Sequence, residues 1–582
     1  MNPSAPRTES PPSTQFRKAA FGGSLKTLQL ILAGVFGVLA ITTAAEKPVA
    51  APPAAASSAR ADECREADPR PVFIFDDGWF EEQGYRCWDV AFRWRAVPDD
   101  LKPHTWLTLY VAPEWIYHVK SYSTDKTEPI PPRRDPEYEK KHAALLASLD
   151  YCERERIPAM LMVRRYAKLR EAAPSFETVE GLLQRYSCVR ALLFAELGGS
   201  KFSDVDQEHL RGFVRLAKPQ GRKVVWALYL HRGATLWNHL MADLQWLAFL
   251  RDNADVIVPT WKTVEPYDNM LNWADCVGLW LSGTVKSWGF QFDGWYWPNQ
   301  YAVARGSHRA KFWPKIYLGN SPTQASGSTF GPAIMSTPPC LVKDTMILAA
   351  LSGASFFGTE RLVAFSPFDG DGSLRSVREK TARLILQRRL HRTQDQVARL
   401  VKVAAINPAT DPEVAAAGYE HSYVSPAVPN RLWKTVFGIA DGGLDIVPNE
   451  GRHFVVPVVP EKSGWPAAIP RPRFITPVEV KDGSFQTTLD QCYPHRFIAS
   501  DPNVLVFDAG DTIYITDSRE ENRTTLEFTL ESKAAQDYQC TILAQDGTPC
   551  DVEVATEKLP GGWRKKFILF AGCSALLQTQ KQ

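Results

Sequence analysis

Residues 277–297 read VGLWLSGTVKSWGFQFDGWYW, and the order of an apolar run, an aromatic run and one acid makes this stretch the key to the fold. The first seven residues are typical of a buried strand. The aromatic residues that follow surround Asp293. A hydrophobic core excludes an unpaired carboxylate, and an ordinary surface loop uses few tryptophans. The pattern therefore predicts a strand over 277–283 and, after it, a loop that carries Asp293 beside an aromatic surface.

Seven other apolar runs share the character of a buried strand, being short and rich in β-branched or aromatic residues. They cover residues 71–75, 105–111, 157–163, 189–197, 223–229, 255–261 and 353–360. Helical patterns separate several of them, over 137–156, 206–221, 238–253 and 376–391. Apolar strands that alternate with helices predict a parallel sheet, and eight such units predict an α/β fold of the (β/α)8 TIM type. No G-x-G-x-x-G or P-loop follows any run, which disfavours a doubly wound sheet.

The texture of the sequence changes after residue 400. Strand-like segments at 452–462, 503–518 and 524–532 are separated by Gly, Asp and Pro turns. This pattern predicts a catalytic barrel over 71–400 and a C-terminal β-rich, sandwich-like domain over 401–582. Only Trp465 and Trp563 lie beyond residue 440, so packing on the barrel is favoured over sugar binding for the second domain.

Residues 1–45 carry basic residues followed by the apolar run LQLILAGVFGVLAITTAA. The apolar core of about 14 residues is shorter than the ~20 that span a bilayer, which favours a signal peptide over an uncleaved anchor. Residues 46–70 are rich in Ala, Pro and Ser and predict a linker. We expect an exported protein, periplasmic, extracellular or on the cell surface. Contact with a membrane is expected only if the N-terminal segment stays uncleaved.

The amino-acid composition of the chain indicates which class of ligand to expect. The formal net charge of +2 gives no sign of nucleic-acid binding. The ten cysteines include no C-x-x-C pair and no Cys/His cluster with zinc spacing, so we predict neither a metal nor a cofactor. The chain has 18 tryptophans, whose flat apolar faces and single N–H donors suit sugar rings. An oligo- or polysaccharide is therefore the expected partner.

Three carboxylates follow the predicted strands at the end where barrel active sites lie. Glu196 follows an apolar run, where burial favours the protonated form that a general acid needs. Asp293 lies ten residues beyond the seventh run, and Glu360 is the last residue of the eighth. Each also has a structural alternative: an ion pair of Glu196 with Arg164, an ion pair of Glu360 with Arg361, and a turn cap for Asp293. Together they supply the two carboxyl groups that glycoside hydrolysis needs at minimum, one on each side of the glycosidic bond.

At these residues the chain resembles glycoside hydrolase family 98. The resemblance is strongest in VGLWLSGTVKSWGFQFDGWYW and continues in MILAALSGASFFGTE, VRALLFAEL, RHFVVPVVPEK and AVPDDLKPHTWLTLY. These segments keep a common order from about residue 71 to beyond residue 460.

The resemblance implies a (β/α)8 catalytic domain followed by a β-sandwich, and an inverting endo-glycosidase. Activities in the family include endo-β-1,4-galactosidase release of blood-group oligosaccharides and endo-xylanase action. Glu196 matches the family's general acid, and Asp293 and Glu360 match its base pair. The segments LGGS after Glu196 and LHRGATLW after the fifth strand depart from the family pattern, which leaves the sugar open.

The expected function is thus hydrolysis, with inversion, of β-linked galactosides or a xylan-type polysaccharide. The expected substrate-binding residues are four aromatic platforms and two hydrogen-bond donors: Trp261, Trp288, Trp295, Trp297, Lys262 and His231. Two alternatives stay open. One is a non-catalytic carbohydrate-binding protein on a degenerate barrel. The other is a retaining α-galactosidase-like enzyme, which the string FDDGW at 75–79 favours.

Overall fold

The structure of the chain is a computed structural model that describes most of the region beyond residue 70. The described residues are 71–74, 90–116, 133–163, 174–195, 204–227, 240–241, 243–263, 269–293, 339–360, 374–406, 455–460, 465–475, 495–499, 504–517, 526–532, 537–570 and 572–579. The predicted signal and linker segments lie outside this part of the chain. Residues 67–582 form one compact unit.

Eight parallel strands form one sheet within the described residues. They are β1 Val72–Phe73, β2 Leu107–Tyr110, β3 Ala159–Met162, β4 Val189–Ala195, β5 Lys223–Ala227, β6 Ile257–Thr263, β7 Gly289–Asp293 and β8 Phe356–Glu360. Their order in the sheet is β1-β8-β7-β6-β5-β4-β3-β2. A parallel bridge from Phe73 to Thr105 closes the ring, and the Trp106 N–H donates to the Phe73 carbonyl over 3.2 Å. The predicted (β/α)8 barrel is confirmed.

Helices surround this sheet. They are α1 Val90–Ala96, α2 Tyr138–Glu155, α3 Phe176–Arg185, α4 Asp204–Ala217, α5 Leu244–Asp252, α6 Asn269–Leu281, α7 Pro339–Leu351, α8 Leu374–Gln387 and α9 Gln394–Leu400. The long helix α2 shows how they pack, because its buried residues Leu145, Leu149 and Cys152 recur at three- and four-residue spacing. Within the described residues, no helix is both long and apolar enough to span a bilayer.

The segment predicted to be the seventh strand, 277–283, instead comprises the last five residues of α6 and the turn that follows it. Every residue from Trp273 to Leu281 is buried, so the segment lacks the polar face that normally marks a helix. A short apolar run without periodicity does not distinguish a buried strand from a buried helix. The following Gly283 adopts a positive φ of 71°, which is a common way for a helix to end.

The seventh strand is β7, and its sequence GFQFD alternates as a strand should. Phe290 and Phe292 belong to the main core outside the sheet, while Gln291 lines the interior of the barrel. Asp293 is therefore the last residue of β7. The prediction that it lies ten residues beyond the seventh strand is wrong.

Strands dominate the chain after α9. Their bounds are β9 Val403–Ile406, β10 Val458–Val459, β11 Arg473–Ile475, β12 His495–Ala499, β13 Val504–Asp508, β14 Thr512–Asp517, β15 Leu526–Ser532, β16 Tyr538–Leu543, β17 Pro549–Cys550, β18 Ala555–Leu559, β19 Gly562–Leu569 and β20 Ser574–Thr579. Two antiparallel sheets, β12-β15-β19-β18 and β13-β14-β20-β16-β17, enclose a shared apolar core. This arrangement confirms the predicted sandwich. A small parallel sheet, β10-β9-β11, precedes it.

The barrel helices and the β-region meet along a buried layer that we call the seam. Its apolar part centres on Trp273 of α6, which stacks on Trp261 of β6 with ring centroids 4.9 Å apart and on Phe507 of β13 at 5.8 Å. Gly278 of α6 approaches β10 so closely that an added Cβ would lie 1.7 Å from the Val458 carbonyl oxygen. Burial from both sides explains why α6 has no exposed face from Trp273 to Leu281.

The polar part of the seam is a network of buried side chains on α7 and the β-region. The Asp344 carboxylate accepts hydrogen bonds of 2.5 Å from the hydroxyls of Tyr514 and Thr516. The Lys343 ammonium donates to the carbonyls of Ala544 and Gly572 at 2.9 and 3.1 Å. Burial raises the pKa of Asp344, and the Lys343 charge and the two hydroxyls oppose that rise. The network ties α7 to the sandwich.

Candidate active site

The C-terminal ends of β7 and β8 lie side by side and carry two of the predicted catalytic acids. In the parallel register of these strands Glu360 is the partner of Asp293, just as Gly358 is the partner of Gln291. Neighbouring strands are about 4.8 Å apart, so the two acidic residues occupy adjacent positions at one edge of the barrel. We call this pair of strand ends the carboxyl edge. It brings together two residues that are 67 positions apart in the numbering.

The third predicted acid, Glu196, lies just outside the described residues. The structure describes β4 up to Ala195, the residue that precedes it. In the ring order, three strands separate β4 from β8 in either direction. The end of β4 therefore lies across the barrel mouth from the carboxyl edge.

A row of polar and small residues lies two positions before the carboxyl edge along β7 and β8, toward the barrel interior. The register aligns Lys262 of β6 with Gln291 of β7, and Gln291 with Gly358 of β8. Lys262 is 1% exposed and Gln291 is 3% exposed. A Cβ added to Gly358 would lie 3.4 Å from Cγ of Gln291, so the glutamine side chain packs directly against this glycine. The row thus places a buried lysine and a buried glutamine beneath the two acidic strand ends.

Below this row the barrel interior is packed. Apolar side chains from six strands and from the ends of β1 and β2 fill it: Ile74, Tyr110, Ala112, Met160, Met162, Ala191, Leu193, Val225, Ala227, Val258 and Phe356. A void among these side chains has a volume of about 10 Å³, about what a single water molecule needs. The interior is thus the floor of a site at the mouth and not a channel.

Two of the predicted sugar platforms are core residues, and that part of the prediction is wrong. Trp261 is 1% exposed and stacks on Trp273 at an interplanar angle of 5°, on the side of β6 away from the barrel interior. Trp288 is fully buried and directly precedes Gly289, the first residue of β7. It therefore lies at the opposite end of the strand from Asp293, because the true strand begins twelve residues later than the predicted one.

The other predicted substrate-binding residues divide between described and undescribed positions. Lys262 lies in the row beneath the carboxyl edge, as the preceding register shows. His231, Trp295 and Trp297 lie outside the described residues. Sequence reasoning missed Gln291, although the alternation in GFQFD places it on the same face of β7 as Asp293. In the part of the chain that the structure describes, no three His, Cys, Asp or Glu side chains are grouped as a metal site would require.

Comparison with solved structures identifies the fold of this barrel and sandwich. The catalytic module of a family 98 glycoside hydrolase from Streptococcus pneumoniae TIGR4 aligns with a TM-score of 0.53 and 14% identity, over 88% of this chain and 98% of the module. The same module in complex with the H-disaccharide blood group antigen aligns at 15% identity with the same TM-score and coverage. A third structure of it holds the LewisY pentasaccharide blood group antigen and aligns at 14% identity. The aligned length exceeds the barrel and so includes part of the β-region.

Sequence comparison identifies the family. No curated protein sequence matches the chain. The profile described as glycosyl hydrolase family 98 matches residues 72–369, which is more than half of the chain and spans all eight barrel strands. The match includes the carboxyl edge and the end of β4. The chain is a glycoside hydrolase and belongs to family 98.

Proposed function

We propose that this glycoside hydrolase is endo-acting and inverts the configuration at the anomeric carbon. Glu196 donates a proton to the leaving glycosidic oxygen, and Asp293 and Glu360 together hold and deprotonate the attacking water. The observation that carries the proposal is the register of β7 and β8, which makes Asp293 and Glu360 neighbours at the carboxyl edge. Two adjacent carboxylates can accept two hydrogen bonds from one water molecule and so aim its lone pair at the sugar.

Inversion and retention require different distances between the acid and the base. An inverting enzyme needs about 6.5–9.5 Å between acid and base so that a water fits between the base and the sugar, whereas a retaining enzyme needs about 5 Å. The ends of β4 and β8 lie on opposite sides of the mouth, with three strands between them. The acid and the base therefore approach the sugar from opposite sides of the mouth, and the anomer of the first product distinguishes inversion from retention.

The two base residues also need a charge that keeps them ionised. Like charges at adjacent positions oppose each other's ionisation. Lys262 is a buried lysine on the strand next to β7, one row below the pair. We expect its ammonium to offset the repulsion, and its N–H groups to donate to sugar hydroxyls together with His231.

The proposed substrate is a β-linked galactoside or a xylan-type polysaccharide. The pneumococcal relative was solved with two blood group antigens, which supports the galactoside. Trp295 and Trp297 follow β7 in the sequence and remain the proposed stacking residues. Trp261 and Trp288 are not proposed to bind sugar, because both are buried in the core.

The test is a cleavage screen of the purified chain against blood-group galactosides and xylo-oligosaccharides. We expect the product to appear first as the inverted anomer, read by NMR before mutarotation. The variants Glu196→Gln, Asp293→Asn and Glu360→Gln should each lose about 10²–10⁴-fold in rate. Glu180→Gln, an exposed change on α3, is the matched control and should keep full activity.

Three results would contradict the proposal in different ways. A retained anomer would favour the α-galactosidase-like alternative. Binding of oligosaccharide without any cleavage by wild type would favour the carbohydrate-binding alternative. Full activity of Glu360→Gln would remove that residue from the proposed base pair.

We also propose that the chain is exported. The support is the basic and apolar pattern of residues 1–45, followed by the small residues near Ala45. N-terminal sequencing of the protein recovered outside the cytoplasm should find a terminus close to residue 46. A cytoplasmic chain with an intact Met1 would contradict export.

A further inference from the structure

The loop that follows β2 presents a tryptophan to solvent. Trp115 is 45% exposed, which sets it apart from the deeply buried Trp261, Trp273 and Trp288. It lies on a short antiparallel ribbon in which Trp115–Ile116 pairs with Arg133–Arg134. A single exposed apolar side chain is common on protein surfaces, but an indole offers a flat apolar face and one N–H donor, which together suit a sugar ring. Its ring makes no stacking contact with the residues that the structure describes.

Charged side chains fix the ribbon in place. The guanidinium of Arg134, the residue directly opposite Trp115, forms ion pairs of 3.3 Å with Glu114 and 2.6 Å with Glu139 of α2. The Asp135 N–H donates to the Glu114 carbonyl over 2.8 Å, and the buried Asp135 carboxylate pairs with Lys141 over 2.8 Å. The Arg134 guanidinium is therefore paired with carboxylates, and the indole face of Trp115 stays exposed on a backbone that these contacts hold.

The ribbon belongs to the face of the barrel that carries the carboxyl edge. Trp115 comes five residues after Tyr110, the last residue of β2, which limits its distance from that strand end to about 18 Å. Only β1 separates β2 from β8 in the ring. A chain bound across the mouth, over Glu360, can therefore extend toward the ribbon.

We propose that Trp115 is a stacking platform for a pyranose ring several units away from the cleaved bond. The flat indole covers the C–H face of such a ring, and the ring hydroxyls meet the charged groups of Glu114 and Arg134 beside it. This inference rests on the proposed function, since an endo-acting enzyme binds sugar units on both sides of the bond that it cuts. It adds Trp115 to the substrate-binding residues predicted from the sequence, and it gives the ribbon after β2 a role in choosing long substrates.

The test compares Trp115→Ala with wild type on galactoside and xylan oligosaccharides of increasing length. We expect KM to rise about tenfold for long oligosaccharides and to stay unchanged for the shortest cleaved one, with kcat unchanged throughout. Trp115→Phe should recover part of the loss because it keeps an aromatic face. Phe570→Ala is the matched control, since Phe570 is 48% exposed but lies in the β-region, and it should leave every KM unchanged.

A second readout separates this proposal from the proposed catalytic function. Binding of the same oligosaccharides to Glu360→Gln, with and without Trp115→Ala, is measured by calorimetry and needs no cleavage. A tenfold loss confined to long ligands supports the platform even if the catalytic assignment fails. Equal affinity with and without Trp115, or an equal loss on the shortest and longest ligands, overturns it. Thermal melting of Trp115→Ala verifies that the variant is folded.

Discussion

The carboxyl edge and the seam use the same kinds of residue for opposite purposes. In the seam, Trp273 is enclosed by Trp261 and Phe507, and its indole N–H donates to the Ser352 hydroxyl over 2.9 Å. The carboxylate in the seam, Asp344, has two hydroxyl donors beside a buried ammonium.

At the barrel mouth the arrangement is different. Two acidic residues lie at adjacent strand ends, and Trp115 exposes its ring. Satisfied groups contribute to folding, whereas groups left open to solvent are available to a substrate. We therefore expect changes in the seam to lower stability and changes at the mouth to lower activity.

The largest expected effect tests the carboxyl edge as a unit. Asp293→Asn and Glu360→Gln should each lower kcat by about 10²–10⁴-fold, and the double variant should lose little more than the worse single one, because both hold the same water. Kinetics with saturating substrate measure all three. Losses that multiply in the double variant would mean that the two residues act independently.

In the seam, Trp273→Ala should lower the free energy of unfolding by about 3–5 kcal/mol, because it leaves a cavity between the rings of Trp261 and Phe507. Urea unfolding measures the change. Trp115→Ala is the control at the mouth and should cost far less, since that ring is 45% exposed. Equal losses from the two substitutions would remove the distinction between buried and exposed tryptophan.

Gly278→Ala tests the close approach of α6 to β10. The new methyl group would meet the Val458 carbonyl oxygen at 1.7 Å, so the helix and the strand must separate, at a cost of about 1–3 kcal/mol. Gly181→Ala is the matched control. Gly181 lies within α3 and has no atom within 4 Å of an added Cβ, so alanine should raise stability by about 0.5–1 kcal/mol there. A neutral result at Gly278 would show that the seam tolerates a gap.

The smallest expected effect concerns an ion pair between α8 and the β-region. Burial alone would raise the pKa of Asp546, but hydrogen bonds from Lys380 and Thr548 outweigh it and hold that pKa below its ordinary value. A depressed pKa in the folded state adds stability above the unfolded pKa of about 3.9 and loses it as the pH falls through the folded value.

Asp546→Asn should therefore cost about 0.5–1 kcal/mol at neutral pH and nothing once both states are protonated. Unfolding free energies measured from about pH 7 to about pH 3 give the difference. Asp551→Asn, an exposed change in the same region, should be neutral at every pH. If the stability difference between wild type and Asp546→Asn instead grew as the pH fell, folding would raise the pKa of Asp546 and the prediction would be wrong.

Much of the barrel was predictable because its signals are local. The run 189–197 contains β4, and the pattern over 137–156 contains α2, since a strand buried on both faces and a helix with one apolar stripe are each readable from a few neighbouring residues. The acids that follow these runs were predictable as site candidates for the same reason. In parallel barrels, the residue after a strand lies at the mouth.

The seventh strand was not predictable in this way. Burial of α6 between the sheet and the β-region removed its polar face, so 277–283 showed no helical period. Because of this error, Trp288 was predicted to bind sugar at the barrel mouth, whereas it directly precedes the beginning of β7. The glycine after the run, Gly283, was the one local sign that a helix ends there.

By itself, the sequence determined the kind of fold, the set of strand-end acids and the family, because these depend on local periodicity and on residue types in a fixed order. Only the tertiary structure decided that Asp293 and Glu360 are register partners and that Trp261 and Trp288 are core residues while Trp115 faces solvent. Strand register and burial depend on which distant segments pack together. That information lies in contacts between residues far apart in the chain and in no single stretch of it.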